Sequence, residues 1–280
     1  MKIAVMTDST AYIPKDLVEK YNIHTVPLAV VFGDEIYREE VDISPEEFYQ
    51  KVRESEKLPT TSQPSVGDAV TKLEELAKDY DAVISIHISS ELSGTYNAVI
   101  SAGEMVEGIK LYAFDSKISA MALGFFVLEA AKLIEQNKTP EEILKYLHEF
   151  HDKVNAYFMV DDLSHLQRGG RLSGAQAFIG SLLKIKPILH IVDGKILPFE
   201  KIRTTKKALQ RILNLLEEDI QTKTVKEVVF IHANNEAAAL NLEIEFKQKH
   251  PEINTLISYF GPVLGTHLGE GALGILWYTE

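Results

Sequence analysis

Short apolar runs alternate along this chain with amphipathic stretches that open on helix-capping residues, and that alternation narrows the fold more than any other feature. Residues 3–6, Ile-Ala-Val-Met, read as a buried first strand, and a helix opens at Pro14. Residues 25–32 read as a second strand, and Gly33-Asp34 turns the chain into residues 35–38. Ser44-Pro45-Glu46-Glu47 is a helix start: a capping serine, proline in the first turn and acids that suit the helix dipole. Thr60-Thr61-Ser62-Gln63-Pro64-Ser65 reads as an extended hydroxyl-rich loop, because Pro59 and Pro64 bias the residues before them away from helix. Ser65 then caps a helix to about Lys78, with Val66, Val70, Leu73 and Leu76 at helical spacing. An uncharged strand over 82–88, a helix from Thr95 to about Glu104, a strand over 111–114 and helices over 119–136 and 139–153 continue the pattern. Strand and helix in this order argue for a mostly parallel sheet with crossover helices on both faces.

The second half has a different texture. Residues 157–160 read as a strand, and Gln167-Arg168-Gly169-Gly170-Arg171 leads through Gly174 into a helix to about Leu183. Residues 186–192 and 196–202 flank Asp193-Gly194, a strong hairpin signal. Thr204 caps a helix to about Glu217; strands over 227–232, 255–259 and 272–278 and a helix over 236–249 follow, with a glycine-rich loop at 261–274. The expectation is two α/β domains, an N-terminal one over 1–155 and a mixed C-terminal one over 156–280.

Composition excludes several functions. A formal net charge of −12 makes nucleic acid a poor partner, since a polyanion demands clustered positive charge. With no cysteine, thiolate catalysis, disulfides and Cys-ligated zinc are out, and a reducing cytoplasm is the expected compartment. The longest apolar segment, 118–134, contains Glu129 and Lys132 and falls short of the roughly 20 residues of a membrane span, so no integral insertion is expected. No His-Glu-x-x-His, Gly-x-Ser-x-Gly or phosphate-binding-loop motif occurs, so metal hydrolases, lipase-type esterases and P-loop nucleotidases have no support. His148 and His151, three apart beside Asp152, have a metal-compatible spacing that surface histidines share, and they are read as surface residues.

The chemistry that remains is anion recognition. Thr61 and Ser62, and Ser93 with Gly94, lie where helices begin, and helix N-termini offer unsatisfied amides to small anions. Each hydroxyl equally suits plain capping of its own helix. Arg168 and Arg171 flank two glycines, and guanidinium groups match carboxylate or phosphate bidentately. His267 sits in the glycine-rich loop, able to offer an imidazole to something small. Lys201-Ile202-Arg203 with Lys206 and Lys207 is the one dense basic run, either a solvated helix start or a dock for an acidic or phosphate-bearing partner.

Taken in order, Ile-Ala-Val-Met-Thr-Asp-Ser-Thr, Thr-Thr-Ser-Gln-Pro-Ser, Ser-Ser-Glu-Leu-Ser-Gly-Thr-Tyr-Asn, Leu-Gln-Arg-Gly-Gly-Arg-Leu and Gly-Thr-His-Leu-Gly resemble the DegV family across essentially the whole chain. These are bacterial fatty-acid-binding proteins that serve as acyl-carrying subunits of fatty acid kinase. The resemblance implies a single long-chain fatty acid in a tunnel at or near the interface of two α/β domains. It implies a carboxylate held by Thr61, Ser62 and Ser93 with the Gly94 amide, Arg171 and His267 near the head group, and Arg203 facing the kinase catalytic subunit. That partner, with ATP, would form the acyl-phosphate; the chain itself would carry no catalytic residue, metal or cofactor. Two alternatives stand beside this: an esterase using Ser93 or Thr61 with His267 as base, and a carrier of a different apolar carboxylate.

Overall fold

Ile3–Asp8 (β1) carries a nearly unbroken apolar run and is buried along almost its whole length, as a central parallel strand must be. It pairs in parallel with Ile23–Val26 (β2) on one side and with Ala82–His87 (β6) on the other; β6 in turn pairs with Lys110–Asp115 (β7), giving the order β2-β1-β6-β7. Val66–Leu76 (α3) and Thr95–Gly103 (α4) pack their Ala69, Leu73, Val99 and Ala102 onto Ala4, Met6 and Val83 of one sheet face. Ala120–Glu135 (α5) packs on β1 and β6 as well, its Phe126 against Phe114 and Phe150. Pro140–Phe150 (α6) follows behind a capping box of Thr139 and Glu142.

The computed structural model describes residues 1–173 and 186–280. They form two units, Met1–Ser44 with Pro59–Asp152, and Pro45–Leu58 with Lys153–Glu280. The helix Pro45–Glu54 (α2) therefore belongs with the C-terminal part of the chain, an excursion that a single boundary at 155 lacks.

In the first unit two local expectations need correction. The strand expected over 25–32 is interrupted at Pro27, which has no N–H for a ladder; Ala29–Phe32 (β3) leaves the parallel sheet. There it joins Glu35–Arg38 (β4) and Thr60–Ser62 (β5) in a separate antiparallel sheet of order β4-β3-β5. The hydroxyl-rich loop is thus in part a strand.

The second unit is built on a mixed six-stranded sheet. Its strands are Val154–Met159 (β8), Lys186–Val192 (β9), Lys195–Ile202 (β10), Val225–His232 (β11), Asn254–Tyr259 (β12) and Leu273–Thr279 (β13), in the order β10-β9-β8-β13-β11-β12. Only β11 and β12 pair in parallel. Asp193 (φ 48°) and Gly194 (φ 81°) form the two-residue turn between β9 and β10, both in the left-handed region that this turn requires. Thr205–Thr222 (α8) and Glu236–Lys249 (α9) bury Ile212, Leu216, Ala239 and Phe246 against Phe230, Ile275 and Trp277. Ser164–Arg168 (α7) follows β8, and the helix expected up to Leu183 lies outside the described residues. Residues 262–268, expected as loop, form a buried helix, Pro262–Leu268 (α10). Among the described residues no helix is long and apolar enough to cross a membrane.

Candidate functional site

In the first unit the two hydroxyl-bearing segments meet. Thr61 pairs with Val30, and Ser62 with Ala29, so β5 presents Thr61 half-buried and Ser62 exposed, the Ser62 hydroxyl donating to the Gln63 carbonyl at 3.1 Å. The loop after β6 carries Ser93 and Gly94, both half-buried. Its shape is fixed from within: Ser93 N donates to Ser89 O at 3.0 Å, Ser89 N to Ile118 O at 2.9 Å, and Ser90 Oγ to Asp115 Oδ2 at 2.5 Å. The Gln63 side chain lies directly on Gly94, where an added Cβ would overlap Oε1 and come within 2.8 Å of Cδ. Gln63 is thus the residue that joins the two segments, and sequence reasoning passed over it for its hydroxyl neighbours.

The two helices that begin here differ at their N-termini. Ser65 caps α3, accepting from Asp68 N at 3.0 Å, and Asp68 adds a negative charge to the first turn. Gly94 caps α4 with no side-chain hydrogen bond of its own and no acid in the first turn, while the Ser93 hydroxyl bonds to Thr95 Oγ1 at 2.8 Å and accepts from Thr95 N at 3.4 Å. The first helix terminus is satisfied by its own residues. The second has no acid in its first turn, so the positive end of its dipole suits an anion.

In the second unit Arg171 and His267 converge on Gly169. Arg171 Nη1 donates to the Gly169 carbonyl at 2.5 Å, and a Cβ on Gly169 would overlap His267 Nδ1. Of the two arginines, Arg168 is the exposed one, its Nε donating to Ser164 O at 3.4 Å. Gly265 lets α10 lie against α2, where a Cβ would stand 2.6 Å from the Tyr49 hydroxyl; that hydroxyl donates to Phe260 O at 2.7 Å. His267 is buried, and burial, with Arg171 and His165 nearby, lowers its pKa to about 4. The imidazole is therefore neutral at pH 7, a hydrogen-bonding group rather than a charge partner. Arg203 is exposed between β10 and α8, where Thr204 caps the helix by accepting from Lys207 N at 3.4 Å. His148 and His151 stand against the rings of Phe114 and Phe126.

Deeper in the first unit, Ser85 Oγ lies 2.5 Å from His87 Nε2, and His87 Nδ1 lies 3.1 Å from Asp8 Oδ2. The connectivity is that of a hydrolase triad, but all three residues have 0% exposure, so no substrate reaches the hydroxyl.

Against known proteins, the family model described as "Uncharacterised protein, DegV family" matches residues 2–280. The protein DegV of Bacillus subtilis (strain 168) is 56% identical over 278 residues, covering 99% of each chain. The solved structure of DegV, a fatty acid binding protein from Bacillus subtilis, superposes with a TM-score of 0.95 at 55% identity, covering 100% of both chains. A DegV family protein from Thermus thermophilus, described for its fatty acid binding, superposes with a TM-score of 0.93 at 33% identity over 100% of both chains. Matched from end to end in sequence and in fold, the chain belongs to the DegV family.

Proposed function

We propose that this chain binds a long-chain fatty acid and presents its carboxyl group to a partner ATP-dependent kinase, which forms the acyl-phosphate. The observation that carries the reading is the α4 N-terminus: no acid in its first turn, Ser93 before its capping Gly94, and Gln63, which follows Thr61 and Ser62, lying on that glycine. Neutral hydroxyls and the Gly94 amide hold a carboxylate through charge-assisted hydrogen bonds without burying an unpaired cation. Arg171 and His267 are also assigned to the head group, His267 as a neutral hydrogen-bonding partner. The fatty acid binding described for the Bacillus subtilis and Thermus thermophilus relatives supports the ligand class. Arg203 and the exposed Lys206 and Lys207 are assigned to the kinase, whose ATP-binding catalysis this chain does not supply.

Affinity and orientation separate in this scheme. Some fifteen buried methylenes at ~0.8 kcal/mol each give roughly 12 kcal/mol before ordering costs, so the tail supplies the binding and the head group the register. Mass analysis of an organic extract of the denatured protein is expected to return near-stoichiometric fatty acid. An empty extract, with none taken up on incubation, overturns the proposal, and a different apolar acid redirects it. Ser93→Ala is expected to cost about 1 kcal/mol, roughly fivefold, in carboxylate recognition while leaving the fold intact. Unchanged binding and unchanged phosphorylation in that variant would remove Ser93 from the site.

A further inference from the structure

Two carboxylates near the carboxyl end of β1 have almost no exposed surface, Asp8 at 0% and Glu39 at 1%, and neither belongs to the hydroxyl segments. A carboxylate is sustained at such depth only when hydrogen-bonded throughout. Asp8 Oδ1 accepts from Thr10 N at 3.1 Å and Thr10 Oγ1 at 2.5 Å; Oδ2 accepts from Ile88 N at 2.8 Å and faces His87 Nδ1 at 3.1 Å. Glu39 accepts from Ser9 Oγ at 2.5 Å and from the Tyr12 hydroxyl at 2.9 Å.

What these groups are tied to gives them a role. Ile88 opens the loop that ends at Ser93 and Gly94, and the next residue, Ser89, accepts the Ser93 amide. Ser9 Oγ, while donating to Glu39, accepts from Leu28 N at 3.1 Å, immediately before β3, whose Ala29 and Val30 pair with Ser62 and Thr61. Consecutive residues, Asp8 and Ser9, therefore reach both hydroxyl-bearing segments, Asp8 directly at Ile88 and Ser9 through β3, which pairs with the Thr61–Ser62 strand. The Ser85–His87 pair, sealed from solvent, completes the grip by fixing the orientation of the Asp8 carboxylate. An apolar filler of equal volume would serve packing as well. Only an acceptor with two directed oxygens sets the position of a loop amide.

We infer that Asp8 and Ser9, backed by His87 and Glu39, are positioning residues that set the spacing between Ser93 and the Thr61–Ser62 strand at the carboxylate site. The inference rests on the proposed fatty-acid reading of that site. It predicts that loosening the grip misplaces the head group while the tail stays bound. An Asn at position 8 must turn its amide nitrogen toward either the Thr10 donors or the Ile88 amide, leaving that side without an acceptor.

The test is the carboxyl 13C resonance of [1-13C]palmitate bound to the full chain, with stoichiometry read by native mass spectrometry. Asp8→Asn and Ser9→Ala are expected to keep stoichiometric palmitate, with affinity within about threefold of wild type because the tail dominates, but to shift or split the resonance, as Ser93→Ala does directly. Leu73→Ala, which opens a cavity in the core of the same unit away from the grip, is expected to lower stability and leave the resonance in place. A wild-type resonance in Asp8→Asn and Ser9→Ala, alongside a moved one in Ser93→Ala, overturns the inference. So does an equal movement in Leu73→Ala. If Asp8→Asn does not fold, Ser9→Ala decides alone. Failure of the wild-type chain to take up palmitate, or an unmoved resonance in Ser93→Ala, overturns the site reading itself and the inference with it.

Discussion

At the end of β1 the first unit buries the Asp8 carboxylate among partners from two segments, Thr10 and His87–Ile88, whereas the second unit buries the His267 imidazole beside Arg171 and His165. A carboxylate is acceptor-only and must collect N–H and O–H groups from wherever the chain brings them, so burying it cross-links loops. An imidazole meets burial by giving up its proton. His190 and His232, also in the second unit, are lowered by burial as well. His24 of the first unit is lowered by burial too, so the contrast lies between the loop-tying Asp8 carboxylate and the buried neutral His267 ring rather than between all polar groups of the two units.

The largest effect that separates the two is expected from Asp8→Ala. It strands the Ile88 and Thr10 amides and the His87 ring in a water-free core, a loss of about 3–5 kcal/mol. Urea unfolding at pH 7 measures it, and a loss under about 1 kcal/mol would mean that the carboxylate organises nothing.

The next effect is a pH dependence, and its sign follows from His267. The folded-state pKa of about 4 lies below the ordinary 6.5, so the unfolded chain takes up the proton first as pH falls. Stability therefore declines from about pH 6.5 down to about pH 4 and is insensitive to this group outside that window, the whole loss being about 3 kcal/mol. His190 and His232 add to the slope in the same direction. Unfolding free energies at pH 7, 5.5 and 4.5 are expected to show a shallower decline in His267→Gln; an identical slope would place the proton uptake elsewhere.

Much of the scaffold was legible without coordinates. The helix start at Thr139-Pro-Glu-Glu and the hairpin at Asp193-Gly194 are legible because both signals are complete within four residues. What escaped depends on distant partners. Thr60–Ser62 has no apolar alternation and becomes a strand only by pairing with β3, across the α2 excursion. Residues 262–268 carry a mid-helix glycine, which disfavours helix by about 1 kcal/mol, yet form one because Tyr49 and Phe48 of α2 require a surface without side chain at Gly265. Within the site, composition singled out Thr61, Ser62, Ser93 and Gly94. The neutrality of His267 was beyond reach, since burial is a property of the packed chain. So were Gln63, Glu39 and His87, whose roles reside in whom they touch.

The smallest effects come from two glycines, and they sharpen the comparison most. A Cβ at Gly169 overlaps His267 Nδ1, comes within 2.9 Å of Cε1 and stands 3.3 Å from the His165 carbonyl, so both a buried ring and backbone must give way. Gly169→Ala is expected to cost about 1–3 kcal/mol, the range for overpacking. At Gly94 the obstruction is the far end of the Gln63 side chain, which swings aside at little cost, so Gly94→Ala is expected to change stability by about 0.5 kcal/mol or less. Its consequence should lie in binding instead. Displacing Gln63 separates the strand of Thr61 and Ser62 from the α4 terminus, and carboxylate recognition weakens in a protein whose unfolding curve is nearly unchanged. Calorimetric titration of fatty acid into each variant, set beside its urea midpoint, reads both quantities. If Gly94→Ala loses stability and binding together, as Gly169→Ala is expected to, the first unit's hydroxyl segments are joined by packing and not by the Gln63 contact.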